Sequence, residues 1–244
     1  MPNPLLSILL PVRNETENLA IMLRILRSAV EIPHEVIVIT DTPNDTSIPI
    51  VQGVAARYAE VRHVTNLLGP GVANAIRAGI EASRAEYVLI FAADEVGPVI
   101  SIQPMLEKMV EGYDVVSVTR YAKGGRRLGG SFLQALLSRT ANNVFRWLTG
   151  FPLTDATTGV KMVRRAAFDR IEFESNPVGW AVAFEMSIKF YLLGLRMTEV
   201  PIVSIDRLYG GSSSFRAASW SQEYWRWFMY GLREIRKQRR KAAA

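Results

Sequence analysis

The chain has 244 residues, 49% of them hydrophobic, enough to bury one substantial core with a small appendage at most. It contains no cysteine, which excludes disulfides, thiolate metal sites and a cysteine nucleophile, no uncharged apolar run reaches the roughly 18 residues of a bilayer span, and no secretory leader is expected. The net charge of +6 gathers at the C-terminus, where seven basic residues from Arg226 to Lys241 face only Glu223 and Glu234, so one local basic element is expected rather than a nucleic-acid-binding surface.

Leu5 to Leu10 reads as a short buried strand ended by Pro11, after which Asn14 is placed to cap a helix from about Glu15 to Ala29. Leu19, Met22, Leu23, Leu26 and Val30 recur at helical spacing and lay one face on the sheet. His34 to Ile39 is a second strand, followed by turn formers from Thr40 to Thr46 that can cap a helix over Ser47 to Tyr58. Val61 to Val64 predicts a third strand, and Gly69-Pro70-Gly71 opens a helix carrying Ala73, Ile76, Ala78, Gly79 and Ile80. Tyr87 to Ala93 is a strand apolar on both faces, stopped by Asp94 and Glu95 and turned by Gly97-Pro98. Such alternation predicts an α/β fold on a mostly parallel sheet wound by right-handed crossovers, with its strand ends on one edge. Glu15, Asp41 and Asp94 then converge where open α/β sheets bind ligands, and such a cluster is costly unless a cation or ligand hydroxyls occupy it.

Several segments carry a resemblance. Pro11 to Glu15, Asp41 with Pro43 and Asp45, Gly71 to Gly79 and Ala93-Asp94 resemble the N-terminal half of the family 2 glycosyltransferases, which have the GT-A fold. Tyr113 to Tyr121 with Gly124-Gly125, Asp155 to Gly159, Gly179 to Glu185, Glu199 to Ile202 and Arg207 to Ser212 are similar to the branch of dolichol-phosphate mannose synthases, which load sugars onto polyprenyl phosphates. The similarity runs from about Leu5 to Arg216. It implies a GT-A domain over residues 1–216, followed by an amphipathic basic helix over 217–244.

By this resemblance Pro11, Asn14, Glu15 and Asp41 hold the nucleotide of a UDP- or GDP-hexose, and Asp94, with Glu95 beside it, holds a divalent metal, Mg²⁺ or Mn²⁺, on the diphosphate. The first acid of the family's Asp-x-Asp motif is replaced by Ala92, a tolerable loss because Mg²⁺ is usually completed by substrate phosphates and water. Arg120 is implied to grip the acceptor phosphate, helped by Ser138, with Arg127 among the basic residues of the glycine loop after it. Asp155 is implied near the sugar. For a hydroxyl acceptor it is the candidate base, and for a phosphate acceptor it binds sugar hydroxyls or positions a cation. Glu185, on an apolar helix, needs a partner, and Arg207 with Ser212 resembles a loop that closes over phosphates.

From Trp220 on, Tyr224, Trp227, Phe228, Gly231 and Ile235 recur at helical spacing before the basic end. This helix suits a membrane interface, a core-docked position, or one face on each. The expectation is an inverting transferase, peripheral on the cytoplasmic face of the membrane and acting on polyprenyl phosphate. The alternatives are transfer to a saccharide or lipid hydroxyl, or a non-catalytic nucleotide-sugar or lipid-binding module.

Overall fold

A computed structural model describes residues 3–129, 131–177, 179–205 and 217–243. The first third alternates as predicted: β1 (Leu6–Pro11), α1 (Thr16–Ala29), β2 (His34–Thr40), α2 (Ile48–Ala55), β3 (Val61–Thr65), α3 (Val72–Ala82) and β4 (Tyr87–Ile90). A 3-10 turn (Gly97–Ser101) then leads into α4 (Ile102–Val110), β5 (Val115–Thr119), the short β6 (Arg126–Leu128) and α5 (Phe132–Thr149). The chain continues through β7 (Lys161–Arg164), α6 (Arg165–Phe168), α7 (Ala181–Leu192), β8 (Met197–Pro201), β9 (Val203–Ile205) and α8 (Ala217–Ala243).

Seven strands form one sheet in the order β3-β2-β1-β4-β7-β5-β8, and β6 pairs with β9 in a second, two-stranded sheet. The large sheet is parallel except for β7, which runs antiparallel to both β4 and β5. This insertion explains why β4 is shorter than the Tyr87 to Ala93 run. Its antiparallel partner ends at the Ile90–Lys161 pair, and the chain turns soon afterwards through Ala92–Glu95. It also brings the 154–160 segment, which precedes β7, to the edge where the parallel strands end.

Alternate residues of each strand serve opposite faces. Leu6, Ile8, Leu10, Val36, Val38 and Leu89 pack with α1, α2 and α4, whereas Leu9, Ile37, Ile39, Val88 and Ile90 pack with α3 and α7. Aromatic residues of α5, α7 and α8 build a third cluster in which Phe145 meets Phe151, Phe184 and Phe228 edge-on. Gly231 of α8 is required there, because a Cβ would lie 2.8 Å from the Phe145 ring. The predicted apolar face of α8 is thus largely committed to the domain, with Trp227 and Ile235 buried. No helix among the described residues is long and apolar enough to cross a membrane.

Candidate active site

The carboxyl ends of β1, β2, β4 and β5 lie on one edge, together with the segment entering β7. At the end of β1, Asn14 does not cap α1. It takes φ of +55°, its amide N–H donates to both carboxylate oxygens of Asp45 at 3.0 and 3.1 Å, and its side-chain oxygen accepts from the Thr46 amide. Glu15 occupies the N-cap position, with its amide donating to the Ser47 hydroxyl at 2.9 Å. Buried Asp45, read from sequence as one of several turn formers, therefore staples the loops after β1 and β2 together and frames Pro11, Asn14 and Glu15.

Asp41, at the end of β2, accepts from the Asn66 side-chain amide and the Gly71 amide, both at 2.8 Å. A carboxylate has about four acceptor positions, so two remain for a base or ribose. Gly71 stands at φ of +120°, and a Cβ there would meet the Pro177 carbonyl at 2.4 Å. The loop that Asp41 organises is consequently pressed by the 171–177 loop. That loop is held from below by buried carboxylates: Glu185 accepts from the Glu174 and Ser175 amides and pairs with Lys189 at 2.9 Å, and Glu223 of α8 accepts from the amide and side chain of Asn176. The partner that Glu185 needs is thus a lysine one turn along its own helix, together with two backbone amides.

Asp94 and Glu95 follow β4, half-buried, and Gly97 beyond them packs so closely that a Cβ would lie 2.2 Å from the Val203 carbonyl of β9. Among the described residues no group of three or more His, Asp or Glu is gathered to hold a metal ion alone. Two adjacent carboxylates at a strand end fit a hard cation that draws its remaining oxygens from a diphosphate and water, and do not fit an all-protein cage.

The strongest polar cluster joins β5, the 154–157 segment and β7. Asp155 is fully buried and grips the Arg120 guanidinium side-on, Nε to Oδ2 at 2.7 Å and Nη2 to Oδ1 at 3.0 Å. Burial works against both charges, but their mutual attraction and hydrogen bonds outweigh it, holding Asp155 below the usual carboxylate range and Arg120 above its ordinary value. Two of five guanidinium N–H groups serve Asp155, so three of the fork lie outside this pair. Glu95 adds a smaller attraction to Arg120, so this acid after β4 and the cation act on one another. The neighbouring threonines are fixed as well. The Thr119 and Thr154 hydroxyls meet at 2.7 Å, and Glu199 accepts from the amide and hydroxyl of Thr154.

Lys161 was not anticipated. It is completely buried where β7 opens, and its Nζ donates to the Ser117 hydroxyl at 3.0 Å and the Ala156 carbonyl at 3.5 Å. Burial pushes its pKa down to about 7; attraction to Asp155 and Glu199 offsets this in part, while Arg120 adds to it. The one signal in the sequence is a lysine inside the otherwise apolar run Val160 to Val163. Because the folded pKa lies below the ordinary 10.5, the folded state binds fewer protons than the unfolded chain between about pH 7 and 10. Stability should therefore rise with pH across that window, and Lys161→Met should flatten the rise, which thermal denaturation at several pH values measures.

Ser138 of α5 reaches the site through Tyr121, whose hydroxyl lies 2.8 Å from its own. Tyr224 of α8, expected only as an apolar helix position, borders the Arg120–Asp155 pair, and burial pushes its pKa up to about 12. The glycine pair after Arg120 makes a tight turn, with Gly124 at φ of +92° and Gly125 so placed that a Cβ would lie 2.7 Å from the Thr119 carbonyl. Arg127 follows on β6, half-buried. Arg207 and Ser212 lie outside the described residues.

A family model described as "Glycosyl transferase family 2" matches residues 7–172. A dolichol-phosphate mannosyltransferase from Pyrococcus furiosus is 25% identical over 188 residues, which cover 75% of this chain and 52% of that protein, so the match spans about half of that relative's length. A polyprenol monophosphomannose synthase from Mycolicibacterium smegmatis is 24% identical over 226 residues, 89% of this chain and 85% of that protein. Among solved structures, glucosyl-3-phosphoglycerate synthase from Mycobacterium tuberculosis with Mn²⁺, uridine diphosphate and glucosyl-3-phosphoglycerate superimposes with a TM-score of 0.71 at 18% identity, covering 95% of this chain and 80% of that one. The same enzyme with Mg²⁺ and uridine diphosphate gives 0.70 at 18% identity over the same shares. These structural likenesses speak for the fold, which is the GT-A-like arrangement that the sequence resemblance implies. With more than half of its length matched by one family model, the chain belongs to glycosyl transferase family 2.

Proposed function

We propose that this protein transfers a hexose from a nucleotide diphosphate sugar to a polyprenyl phosphate, inverting the anomeric centre. The observation that carries the reading is the Arg120–Asp155 pair, a permanently charged fork fixed by a buried carboxylate at the ligand edge of the sheet. A phosphate monoester acceptor is largely ionised near neutrality, with a second pKa of about 6, so its oxygen needs no general base and needs a cation to hold it in line. Arg120 suits that task through the rest of its fork, with Ser138 and Tyr121 beside it. Asp155 suits the role of positioning a cation, and that cation is Arg120. Held ionised below the usual range and fully buried, it is poorly suited to take a proton from a hydroxyl, which speaks against the hydroxyl-acceptor reading.

Asp41, Asn14, Glu15 and Pro11 frame the nucleotide on this reading, with the Asp45 staple and the Gly71–Pro177 contact setting their positions. Asp94, with Glu95 beside it, would hold a divalent ion, Mg²⁺ or Mn²⁺, which supplies charge neutralisation at the departing diphosphate. The names of the two mannosyltransferase relatives favour mannose and a polyprenyl carrier.

The test is transfer of labelled hexose from a panel of UDP- and GDP-sugars to a short-chain polyprenyl phosphate with Mg²⁺, Mn²⁺ or EDTA. An acid-labile, lipid-linked product formed only with metal is the expected result. Transfer to a hydroxyl acceptor in place of the lipid phosphate, or nucleotide binding with no transfer to any acceptor, overturns it.

A further inference from the structure

The core-docked α8 leaves open how the protein meets the membrane in which the proposed acceptor lies, and α5 answers in its place. One side of α5 faces the domain, through Ser138, Asn142, Phe145 and Thr149, and Asn142 bonds to Thr157 and Ala156. At 3.6 residues per turn, Leu133, Leu136, Leu137, Val144 and Trp147 fall on the opposite side. They face solvent: Leu133 is 62% exposed, Leu137 61% and Trp147 83%, with Phe132 at the first turn 81% exposed. An amphipathic helix normally turns such a stripe inward, and a continuous outward one marks an interaction surface.

Charge identifies the partner. Arg139 and Arg146 are exposed along the flank of the same helix, and Lys123 and Arg126 are exposed in the loop and strand before it. The basic end of α8 lies against its C-terminus, with Arg236 donating to the Leu148 carbonyl at 3.5 Å and Arg239 to the Gly150 carbonyl at 3.4 Å. An apolar stripe with tryptophan and phenylalanine near its ends and cations at its borders matches the polar–apolar boundary of an anionic bilayer. The first turns of this helix are tied to the site by the Ser138–Tyr121 contact, next to Arg120. Among the described residues the exposed aromatic of α8, Trp225, lines a groove of about 640 Å³ with Glu174, Met229 and Arg233, and no residue of α5 lines it.

We propose that the outward stripe of α5, bordered by the basic end of α8, is the surface by which this protein lies on an anionic membrane, with the Arg120 end of the site at the lipid headgroups. The inference deepens the transfer reading above and rests on it for the acceptor, but its test does not use catalysis. The full chain is sedimented with phosphatidylcholine vesicles with and without phosphatidylglycerol. Wild type should bind the anionic vesicles and release as salt rises. Leu133→Glu and Leu137→Glu should each weaken binding by about tenfold or more, Arg139→Glu with Arg146→Glu should abolish the preference for phosphatidylglycerol, and Trp225→Ala should leave binding unchanged. Melting curves and hydrolysis of the nucleotide sugar in detergent check that the variants stay folded and loaded. Wild type that ignores anionic vesicles, leucine variants that bind as wild type does, or loss of binding in Trp225→Ala overturns the proposal. So does a wild-type dimer that becomes monomeric in Leu137→Glu without any change in vesicle binding, since the stripe is then an interface between copies. Vesicle binding without sugar transfer would sink the transfer reading and leave the surface standing.

Discussion

Asp155→Ala is expected to destabilise the fold by about 3–5 kcal/mol, the usual cost of leaving a buried charge without its partner. Arg120 stays permanently charged, loses the two hydrogen bonds at 2.7 and 3.0 Å, and keeps Lys161 as a repelling neighbour. Urea denaturation at neutral pH reads the loss as a lowered midpoint. Removing both charges, as in Arg120→Met with Asp155→Leu, should cost less than Asp155→Ala alone, because no unpaired ion is then buried. The dependence on pH has a definite sign. The folded Asp155 carboxyl has a pKa below its ordinary value, so its contribution is present at neutral pH and is lost as pH falls through the folded pKa, bringing wild type and variant together in acid. A variant as stable as wild type at neutral pH would show that the pair is solvated and that Arg120 is not held by it.

Asp94→Ala should lower kcat/KM for the proposed sugar transfer by about a thousandfold, with melting unchanged. A divalent ion at a departing diphosphate contributes several kcal/mol to the transition state, and each 1.4 kcal/mol is about tenfold in rate. With Ala92 in place of the motif's first acid, the proposed reading makes Asp94 the principal metal carboxylate at this strand end, and Glu95 alone should not restore the rate. The measurement is a titration of activity against Mn²⁺ for wild type, Asp94→Ala and Glu95→Gln. A metal optimum that does not move in Asp94→Ala would remove Asp94 from the metal site.

What was legible in the chain is what neighbours along it decide. Periods of two and of three to four apolar residues, punctuated by Pro11, Gly71 and Gly97-Pro98, placed the first four strands and three helices within a few residues, because each pattern must bury its own apolar side. The positions after strand ends, Glu15, Asp41 and Asp94, followed from the parallel winding, which gathers those ends on one edge whatever the strand order, whereas Arg120 came only from the family resemblance. Only the tertiary structure decided the rest. β7 enters antiparallel between β4 and β5, a choice made by partners about 45 and 70 residues away, and this sets Asp155 against Arg120 and buries Lys161 beside Ser117. Asn14 reads as a cap locally, but Asp45 and Thr46 from the next loop claim its backbone and side chain. The amphipathic α8 shows the same limit. Periodicity marks the apolar stripe of α8 and leaves open whether the core or a membrane takes it. Packing against Phe145, Phe184 and Ile188 took that of α8 and left that of α5 outside.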